Sequence, residues 1–186
     1  SNNLCKEALK NTEAFNCSVV FANANTGEVL ISAEVKSEKE FINIDLISSR
    51  AQYEPGSSFK IFSIGFALEQ GLLDEETEFY VQDKIELIEN SCQKDFTGYK
   101  GCYRDFLKHE PYTLSVKEII ERSSNVGTIM ATEELNILDL ENYLEKYGFI
   151  KKTGIELSGE AKGSFDSNKK CTTCLSSLSI GYSLNV

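Results

Sequence analysis

The chain has 186 residues, of which 41% are hydrophobic, and its formal net charge is −10 at pH 7. This length and composition predict one globular domain with enough chain to bury a core. The negative charge, with no stripe of lysine and arginine, excludes nucleic acid as a partner, and the longest apolar runs are far too short to span a membrane.

The residue pattern predicts an α+β fold in which helices pack on a small antiparallel sheet. The first expected elements are a helix over 4–14 and two antiparallel strands over 17–23 and 28–36, joined by a turn at 25–27. A polar connection then leads to a helix that begins near Ser57 and ends at Gly71. The remaining expected elements are an irregular stretch at 72–113 with a strand at 84–88, helices at 115–123, 125–135 and 138–147, and a mobile loop rich in glycine, serine and lysine at 158–176.

A serine and a lysine three residues apart stand at the start of the helix near residue 57. A Pro-Gly turn precedes Ser57, and Lys60 falls on the same helix face because residues three apart are neighbours. A lysine among apolar neighbours is desolvated, which lowers its pKa and lets it take a proton from serine near neutral pH. The alternative is a helix N-cap serine followed by a surface lysine, and the same spacing recurs by chance at 91–94 and 167–170. The apolar residues around Lys60 favour the catalytic interpretation.

A second polar group interrupts the helical pattern downstream. Ser115 and Glu118 form a capping box at a predicted helix start, and the run Ser123-Ser124-Asn125 then breaks the apolar periodicity. On a short loop between two helices, Ser123 and Asn125 project a hydroxyl and a carboxamide into the same space. The hydroxyl can relay a proton to a leaving group, and the amide can hydrogen-bond a substrate peptide group. By itself, the pattern is equally typical of a polar connection between helices.

Together the two motifs resemble those of the transpeptidase domain of penicillin-binding proteins, most closely the monofunctional class B type. The resemblance extends along most of the chain. Residues 17–30 look like the family's opening hairpin, residues 147–160 like the segment after the second motif, and residues 179–183 like the stretch that leads into the last third of the domain. The resemblance implies the penicillin-binding protein and serine β-lactamase fold, with residues 1–186 forming a partial transpeptidase domain.

The resemblance also implies a catalytic set and a reaction. Ser57 is expected to attack the D-alanyl-D-alanine end of a peptidoglycan stem peptide, and Lys60 to accept the serine proton. Ser123 is expected to relay that proton, while Asn125 orients Lys60 and the substrate. β-Lactams are expected to stall the reaction at the serine acyl-enzyme. No cofactor and no metal is needed. The site is expected outside the cytoplasm, in a parent protein that is anchored to the inner membrane and contacts cell-division or elongation proteins.

The third motif of the family, Lys-Thr-Gly on a strand, is the weak point of the match. A literal Lys152-Thr153-Gly154 follows a predicted helix end, and we interpret it as a decoy, because in the family this block precedes the catalytic motif by a long interval. The chain is therefore expected to stop before the true third motif. That motif brings one of two oxyanion donors, each worth roughly 3 kcal/mol in the transition state. Residues 1–186 alone are predicted to be acylated slowly or not at all.

Two other functions are compatible with these motifs. A class D-type serine β-lactamase or β-lactam sensor uses the same Ser-x-x-Lys chemistry, although Ser123-Ser124-Asn125 and the helical insertion after it favour the transpeptidase. A non-catalytic cell-wall scaffold uses the same fold to contact other proteins. Turnover of nitrocefin would indicate the lactamase, and partner binding that survives Ser57→Ala would indicate the scaffold.

The cysteines are predicted to form disulfides rather than a metal site. An even count is typical of disulfides in a domain outside the cytoplasm, and Cys92 and Cys102 bracket a loop that closes easily. Cys171 and Cys174 have the spacing of a redox pair or half a zinc site, whose other ligands could come only from Cys92 and Cys102. The single histidine, His109, is interpreted as a solvated loop residue. The pairing stays open among the six: Cys5, Cys17, Cys92, Cys102, Cys171 and Cys174.

Overall fold

The computed structural model describes residues 2–12, 14–36, 50–93, 101–157, 159–165 and 173–186. The chain divides into two compact units, one formed by Ser1–Gln52 with Lys151–Lys162 and the other by Tyr53–Ile150 with Gly163–Val186. Within the described ranges, no helix combines the length and the apolar character that crossing a membrane requires.

The first unit contains a helix and a two-stranded antiparallel hairpin. Its described elements are α1 (Asn2–Thr12), β1 (Asn16–Ala22) and β2 (Val29–Lys36). The predicted helix and strands of this region are confirmed to within two residues. The hairpin turn forms because Asn23 Oδ1 accepts hydrogen bonds from two following backbone amides and Gly27 adopts a φ of +76°.

The second unit contains the segment with the candidate nucleophile. Its described elements are a 3-10 turn (Gly56–Phe59), α2 (Lys60–Glu69), β3 (Glu78–Val81), β4 (Lys84–Glu86), β5 (Cys102–Arg104), β6 (Tyr112–Ser115), α3 (Val116–Arg122), α4 (Asn125–Ala131), α5 (Ile137–Lys146), β7 (Ser164–Phe165), α6 (Cys174–Ser179) and β8 (Leu184–Asn185). The strands pair two by two and antiparallel, β3 with β6, β4 with β5, and β7 with β8. The result is α+β, as predicted.

The main difference from the predicted elements lies at 72–113. The strand expected at 84–88 is confirmed as β4, but β3, β5 and β6 were not predicted. Each of the three has only three or four residues, which is too short for a two-residue alternation to stand out. The loop predicted at 158–176 lies partly outside the described residues. Its described part includes β7 and the start of α6, so the prediction of a loop is wrong for those residues.

Helix α2 contributes side chains to two apolar clusters in the core of the second unit. Phe66 belongs to a cluster that also contains Leu140, Leu144 and Leu178. Ile64 is fully buried in a second cluster formed with side chains of β3, β6, α3 and α4. A side chain of this size stabilises the fold by about 2 kcal/mol when it is buried. Because α2 is anchored in both clusters, its first residue, Lys60, has a fixed position at the edge of the core.

Disulfide bonds join Cys5 with Cys17 and Cys92 with Cys102, with Cα–Cα distances of 5.4 and 5.0 Å. Cys174 is disulfide-bonded as well. The predicted disulfides are confirmed for these cysteines. The bond between Cys92 and Cys102 means that neither is a zinc ligand, and in the described ranges no group of three or more His, Cys, Asp or Glu side chains could hold a metal ion.

Replacing Cys92 and Cys102 together by serine is expected to lower the free energy of unfolding by about 3 kcal/mol, because the bond closes a loop with a sequence separation of 10. Urea denaturation of the oxidised wild type and the double variant measures the difference. The serine pair at Cys5 and Cys17, with a separation of 12, should give a similar loss if loop closure is the cause. Unchanged midpoints in both double variants would contradict the prediction.

Candidate active site

The 3-10 turn presents the predicted nucleophile at the N-terminal end of α2. The Ser57 side chain is exposed and lines a cleft of about 1080 Å³. The turn is anchored by a hydrogen bond of 3.0 Å from Gly56 N to Gly181 O. A hydroxyl that faces a cleft from the start of a buried helix is well placed to act as a nucleophile.

Lys60 lies one helical turn beyond Ser57 and is only 2% exposed. Its Nζ donates hydrogen bonds to the Ser123 carbonyl oxygen at 2.5 Å and to Ser123 Oγ at 3.1 Å. Burial lowers the pKa of Lys60 to about 8, while the negative charge of Asp105 acts in the opposite direction. The predicted burial of this lysine is confirmed. Its amine therefore has an appreciable neutral fraction near neutral pH and can serve as a base.

The bend between α3 and α4 is produced by the Ser-Ser-Asn run itself. Helix α3 begins at the predicted capping box and ends at Ser123, which adopts a left-handed φ of +54°. Ser124 then caps α4, its Oγ accepting a hydrogen bond from Gly127 N at 2.8 Å. Because Ser123 closes one helix and Ser124 opens the next, the backbone exposes the Ser123 carbonyl to the amine of Lys60.

Ser57, Ser123 and Asn125 line the same cleft, and Lys60 reaches Ser123 from the core. In the described part of the chain, the hydrogen bonds of the lysine amine go to Ser123 and none goes to Ser57. Asn125 Nδ2 donates to the Arg104 carbonyl oxygen at 2.7 Å, so Oδ1 remains the acceptor that the carboxamide can offer to a ligand. Catalytic hydrogen bonds often shorten only when the substrate binds.

Asp105, which follows β5, is a site residue that the sequence interpretation missed. Its Oδ1 accepts hydrogen bonds from Asn125 N at 2.5 Å and Val126 N at 3.0 Å, and its Oδ2 accepts from Ser124 Oγ at 2.8 Å. Asp105 lies about 20 residues before these partners in the sequence. It also falls in the stretch interpreted as irregular, so no local pattern indicated the contact.

His109 lies on irregular backbone, as predicted, but it is half-buried and not solvated. Its side chain is 16% exposed, with Nε2 at 3.1 Å from Asp105 Oδ2, and its ring stacks on Tyr112 with centroids 4.2 Å apart. Burial acts to lower the pKa of His109, but hydrogen bonds to the Glu110 carbonyl and to the Asp105 carboxylate, together with the charge of Asp105, raise it overall. His109 also lines the cleft.

The Lys152-Thr153-Gly154 segment belongs to the first unit and lies on irregular backbone rather than on a strand. Thr153 donates from its N and Oγ1 to Glu160 at 2.6 and 2.7 Å, and Gly154 N donates to the same carboxylate at 3.1 Å. The hydrogen bonds from the Thr153 side chain and backbone lower the pKa of Glu160. These contacts favour a structural role and agree with the interpretation of the segment as a decoy.

Comparison with known protein families identifies the class of this chain. The penicillin binding protein transpeptidase domain profile matches residues 17–186, and the chain belongs to this family. The peptidoglycan D,D-transpeptidase FtsI of Buchnera aphidicola subsp. Schizaphis graminum is 29% identical over 175 residues, which cover 90% of this chain and 28% of FtsI. Stage V sporulation protein D of Bacillus subtilis is 31% identical over 112 residues, 60% of this chain and 16% of that protein. The chain thus spans less than a third of the length of these curated relatives.

Solved structures show the same fold. Penicillin binding protein 3 from Mycobacterium tuberculosis, complexed with ampicillin, matches with a TM-score of 0.79 at 24% identity, covering 100% of this chain and 40% of that chain. The transpeptidase domain of Burkholderia pseudomallei penicillin-binding protein 3 matches with a TM-score of 0.79 at 19% identity, covering 99% and 50%. The family and fold expected from the sequence motifs are confirmed.

A methyl group at Gly181 is expected to displace the turn that carries Ser57. Gly181 has a φ of +85°, and a Cβ there would lie 1.9 Å from the Gly56 carbonyl oxygen. Gly148→Ala is the matched control, because Gly148 has a φ of +86° and nothing within 4 Å of the added carbon. Each substitution should cost about 1–2 kcal/mol in backbone strain, and Gly181→Ala should cost more. Equal losses of unfolding free energy would show that the contact with Gly56 is unimportant.

Proposed function

We propose that this chain carries the nucleophile, base and proton relay of a peptidoglycan D,D-transpeptidase. The observation that carries the proposal is the buried amine of Lys60, which is hydrogen-bonded to Ser123 one helical turn from the exposed hydroxyl of Ser57. Within the described ranges this amine, whose pKa is about 8, has no anionic hydrogen-bond partner. Such a buried lysine destabilises a fold but is suited to proton transfer. Membership of the transpeptidase family supports the same reaction.

Acylation begins when Ser57 Oγ attacks the carbonyl carbon of the penultimate D-alanine of a stem peptide. Neutral Lys60 accepts the hydroxyl proton, and the Ser57 N–H at the start of the helical segment can donate to the developing oxyanion. The C–N bond to the terminal D-alanine then breaks. Lys60 returns its proton through Ser123 Oγ to the leaving amine, which departs as free D-alanine and leaves an ester on Ser57.

The ester is resolved by an amine from a neighbouring stem peptide. That amine attacks the ester carbonyl, its proton passes to Lys60, and Ser57 leaves with a proton as the new peptide crosslink forms. Asn125 can accept a hydrogen bond from the substrate backbone through Oδ1, because its Nδ2 is held by Arg104. A β-lactam follows the first half of this path, since opening its ring amide gives the same kind of serine ester. No step requires a cofactor.

The proposed protein works outside the cytoplasm, where stem peptides are crosslinked. The disulfides Cys5–Cys17 and Cys92–Cys102 support this location, because such bonds persist in oxidising compartments. Anchoring of the parent protein to the inner membrane and binding to cell-division or elongation proteins are part of the same proposal. The reaction also needs a second oxyanion donor and a cation for the substrate carboxylate, which the family resemblance assigns to a Lys-Thr-Gly strand.

Covalent labelling tests the proposed nucleophile. The protein expressed from its complete gene should form one ester with a fluorescent penicillin, on the peptide that contains Ser57. Ser57→Ala should abolish the adduct, and Lys60→Met should slow its formation by about 10²–10⁴-fold, the usual contribution of a general base. Ser58→Ala is the matched control, because Ser58 is exposed and its Oγ donates to the nearby Pro55 O at 2.8 Å. Mass spectrometry of the labelled peptide gives the site.

The labelling outcomes separate the functions. An adduct that survives Ser57→Ala, or that maps to another serine, contradicts the assignment of the nucleophile. Steady turnover of nitrocefin with multiple cycles per protein molecule indicates a β-lactamase. Failure of every β-lactam to label the protein, together with partner binding that survives Ser57→Ala, indicates a scaffold.

The pH dependence of stability tests the burial of Lys60 without any substrate. A pKa lowered from 10.5 to about 8 means that the unfolded chain binds more protons than the folded chain between these two values, so stability rises with pH across that window. Below pH 8 the charged form costs about 3 kcal/mol. Lys60→Met should therefore be most stabilising, relative to wild type, at pH 7. This advantage should shrink steadily from pH 8 to 10.5.

Chemical denaturation at pH 7, 8.5 and 10 measures this difference. Lys117→Met serves as the control for removing a lysine that is exposed on α3. The difference in unfolding free energy between Lys60→Met and wild type could instead stay constant from pH 7 to 10. That result would mean that the amine is as well solvated in the folded protein as in the unfolded chain.

A further inference from the structure

The carboxylate of Asp105 is the centre of a polar cluster that neither sequence motif includes. Its side chain is only 8% exposed, although it lies beside an open cleft. Four donors converge on its two oxygens: Asn125 N, Val126 N, Ser124 Oγ and His109 Nε2, at 2.5 to 3.1 Å. A carboxylate is the side chain that can accept this many hydrogen bonds at once.

We propose that Asp105 is a positioning residue of the acyl-transfer site, which fixes the Ser123-Ser124-Asn125 bend and sets the electrostatic surroundings of Lys60. The proposal rests on the acyl-transfer function argued above. Asp105 touches none of the reacting groups, so it acts through the bend and through its charge. His109 Nε2 contacts Oδ2, the same carboxylate oxygen that accepts the Ser124 hydroxyl.

The first part of this role is geometric. The backbone amides of Asn125 and Val126 are the first two of α4 and have no acceptor within that helix. Asp105 Oδ1 accepts both of them, and Oδ2 accepts the hydroxyl of Ser124. The adjacent residue, Arg104, accepts Asn125 Nδ2 through its carbonyl oxygen. Arg104, the last residue of β5, and Asp105, which follows it, therefore hold the carboxamide and the backbone of the second motif.

The hydrogen bonds from the start of α4 to Asp105 determine the position of Ser123, the hydrogen-bond partner of Lys60. Lys60 Nζ is hydrogen-bonded to the carbonyl oxygen and the Oγ of Ser123, the residue directly before Ser124. Ser123 is in the left-handed conformation, which for a serine costs about 1–2 kcal/mol unless neighbouring contacts maintain it. Losing the three hydrogen bonds between Asp105 and the start of α4 would release this bend, and the acceptors of Lys60 would move with it.

The second part of the role is electrostatic. Asp105 is the charge that raises the pKa of Lys60, against the larger effect of burial. The same carboxylate raises the pKa of His109, and Asp83 contributes to that shift as well. Removing the charge of Asp105 while keeping its size should therefore let burial lower the pKa of Lys60 further. A residue that only stabilised the fold would leave this pKa unchanged.

The pH dependence of β-lactam acylation of Ser57 separates the two parts. In Asp105→Asn, the plateau rate should fall at least about 10-fold, a cost of about 1.4 kcal/mol, because the bend is held less firmly. The midpoint of the rise in rate with pH should move to lower pH, because neutral Lys60 then predominates at lower pH. Asp83→Asn is the matched control, since it removes a nearby carboxylate that acts on His109 but not on the bend, and it should move neither quantity. His109→Gln measures how far titration of the imidazole contributes.

Asp105→Glu keeps the charge and lengthens the side chain. It should lower the plateau rate but leave the midpoint close to that of the wild type, and it carries the test if Asp105→Asn does not fold. A plateau rate unchanged in both Asp105 variants overturns the proposal. So does a lower rate in Asp105→Asn with an unmoved midpoint, because that result indicates a purely structural residue.

Two NMR measurements do not depend on acylation. Amide hydrogen exchange at Asn125 and Val126 should be faster in Asp105→Asn and in Asp105→Glu than in Asp83→Asn. The imidazole of His109, the sole histidine of the chain, should titrate at lower pH in Asp105→Asn. If these changes occur in a protein that no β-lactam acylates, the proposed function fails while the positioning contact stands. If acylation occurs and amide exchange at the bend is unchanged, the positioning role fails.

Discussion

The proposed site depends on the burial of the Lys60 amine, whose hydrogen-bond partner among the described residues is Ser123. Nζ contacts one carbonyl oxygen and one hydroxyl, and neither is an anion that would hold the proton in place. A direct ion pair would make this lysine a structural cation. Burial without such a pair lowers the pKa of the amine and suits it to the role of base that we propose.

The surrounding elements fix the positions of Ser57, Lys60 and Ser123. Helix α2 is anchored in two apolar clusters, and Lys60 at its start is only 2% exposed. The turn before α2 is fixed by the close approach of Gly56 and Gly181. The bend between α3 and α4 is held by the hydrogen bonds to Asp105. The hydrogen bonds of Lys60 therefore join the start of α2 to the end of α3. Groups that are held by packed helices keep the close geometry that proton transfer requires.

The sequence could indicate Ser57 and Lys60 as candidates because they lie close together along it. Ser57 and Lys60 are three residues apart on a helix with apolar neighbours, and the capping box at Ser115 marked the next helix correctly. The role of Asp105 could not be predicted, because its hydrogen-bond partners lie about 20 residues away in the sequence. Its position also depends on short strands that show no clear alternation of polar and apolar residues. His109 was misjudged for the same reason, since a histidine in an apparently irregular stretch gives no sign that a carboxylate and a tyrosine ring will enclose it.

Direct titration of the Lys60 amine tests the central claim. The Nζ and Cε signals of Lys60 can be assigned by their loss in Lys60→Met and followed by NMR from pH 6 to 11 in the protein without ligand. We expect a midpoint near the value of about 8 that burial imposes. A midpoint near 10.5, the value of a solvated lysine, would contradict it, because such an amine could not take a proton from serine at neutral pH.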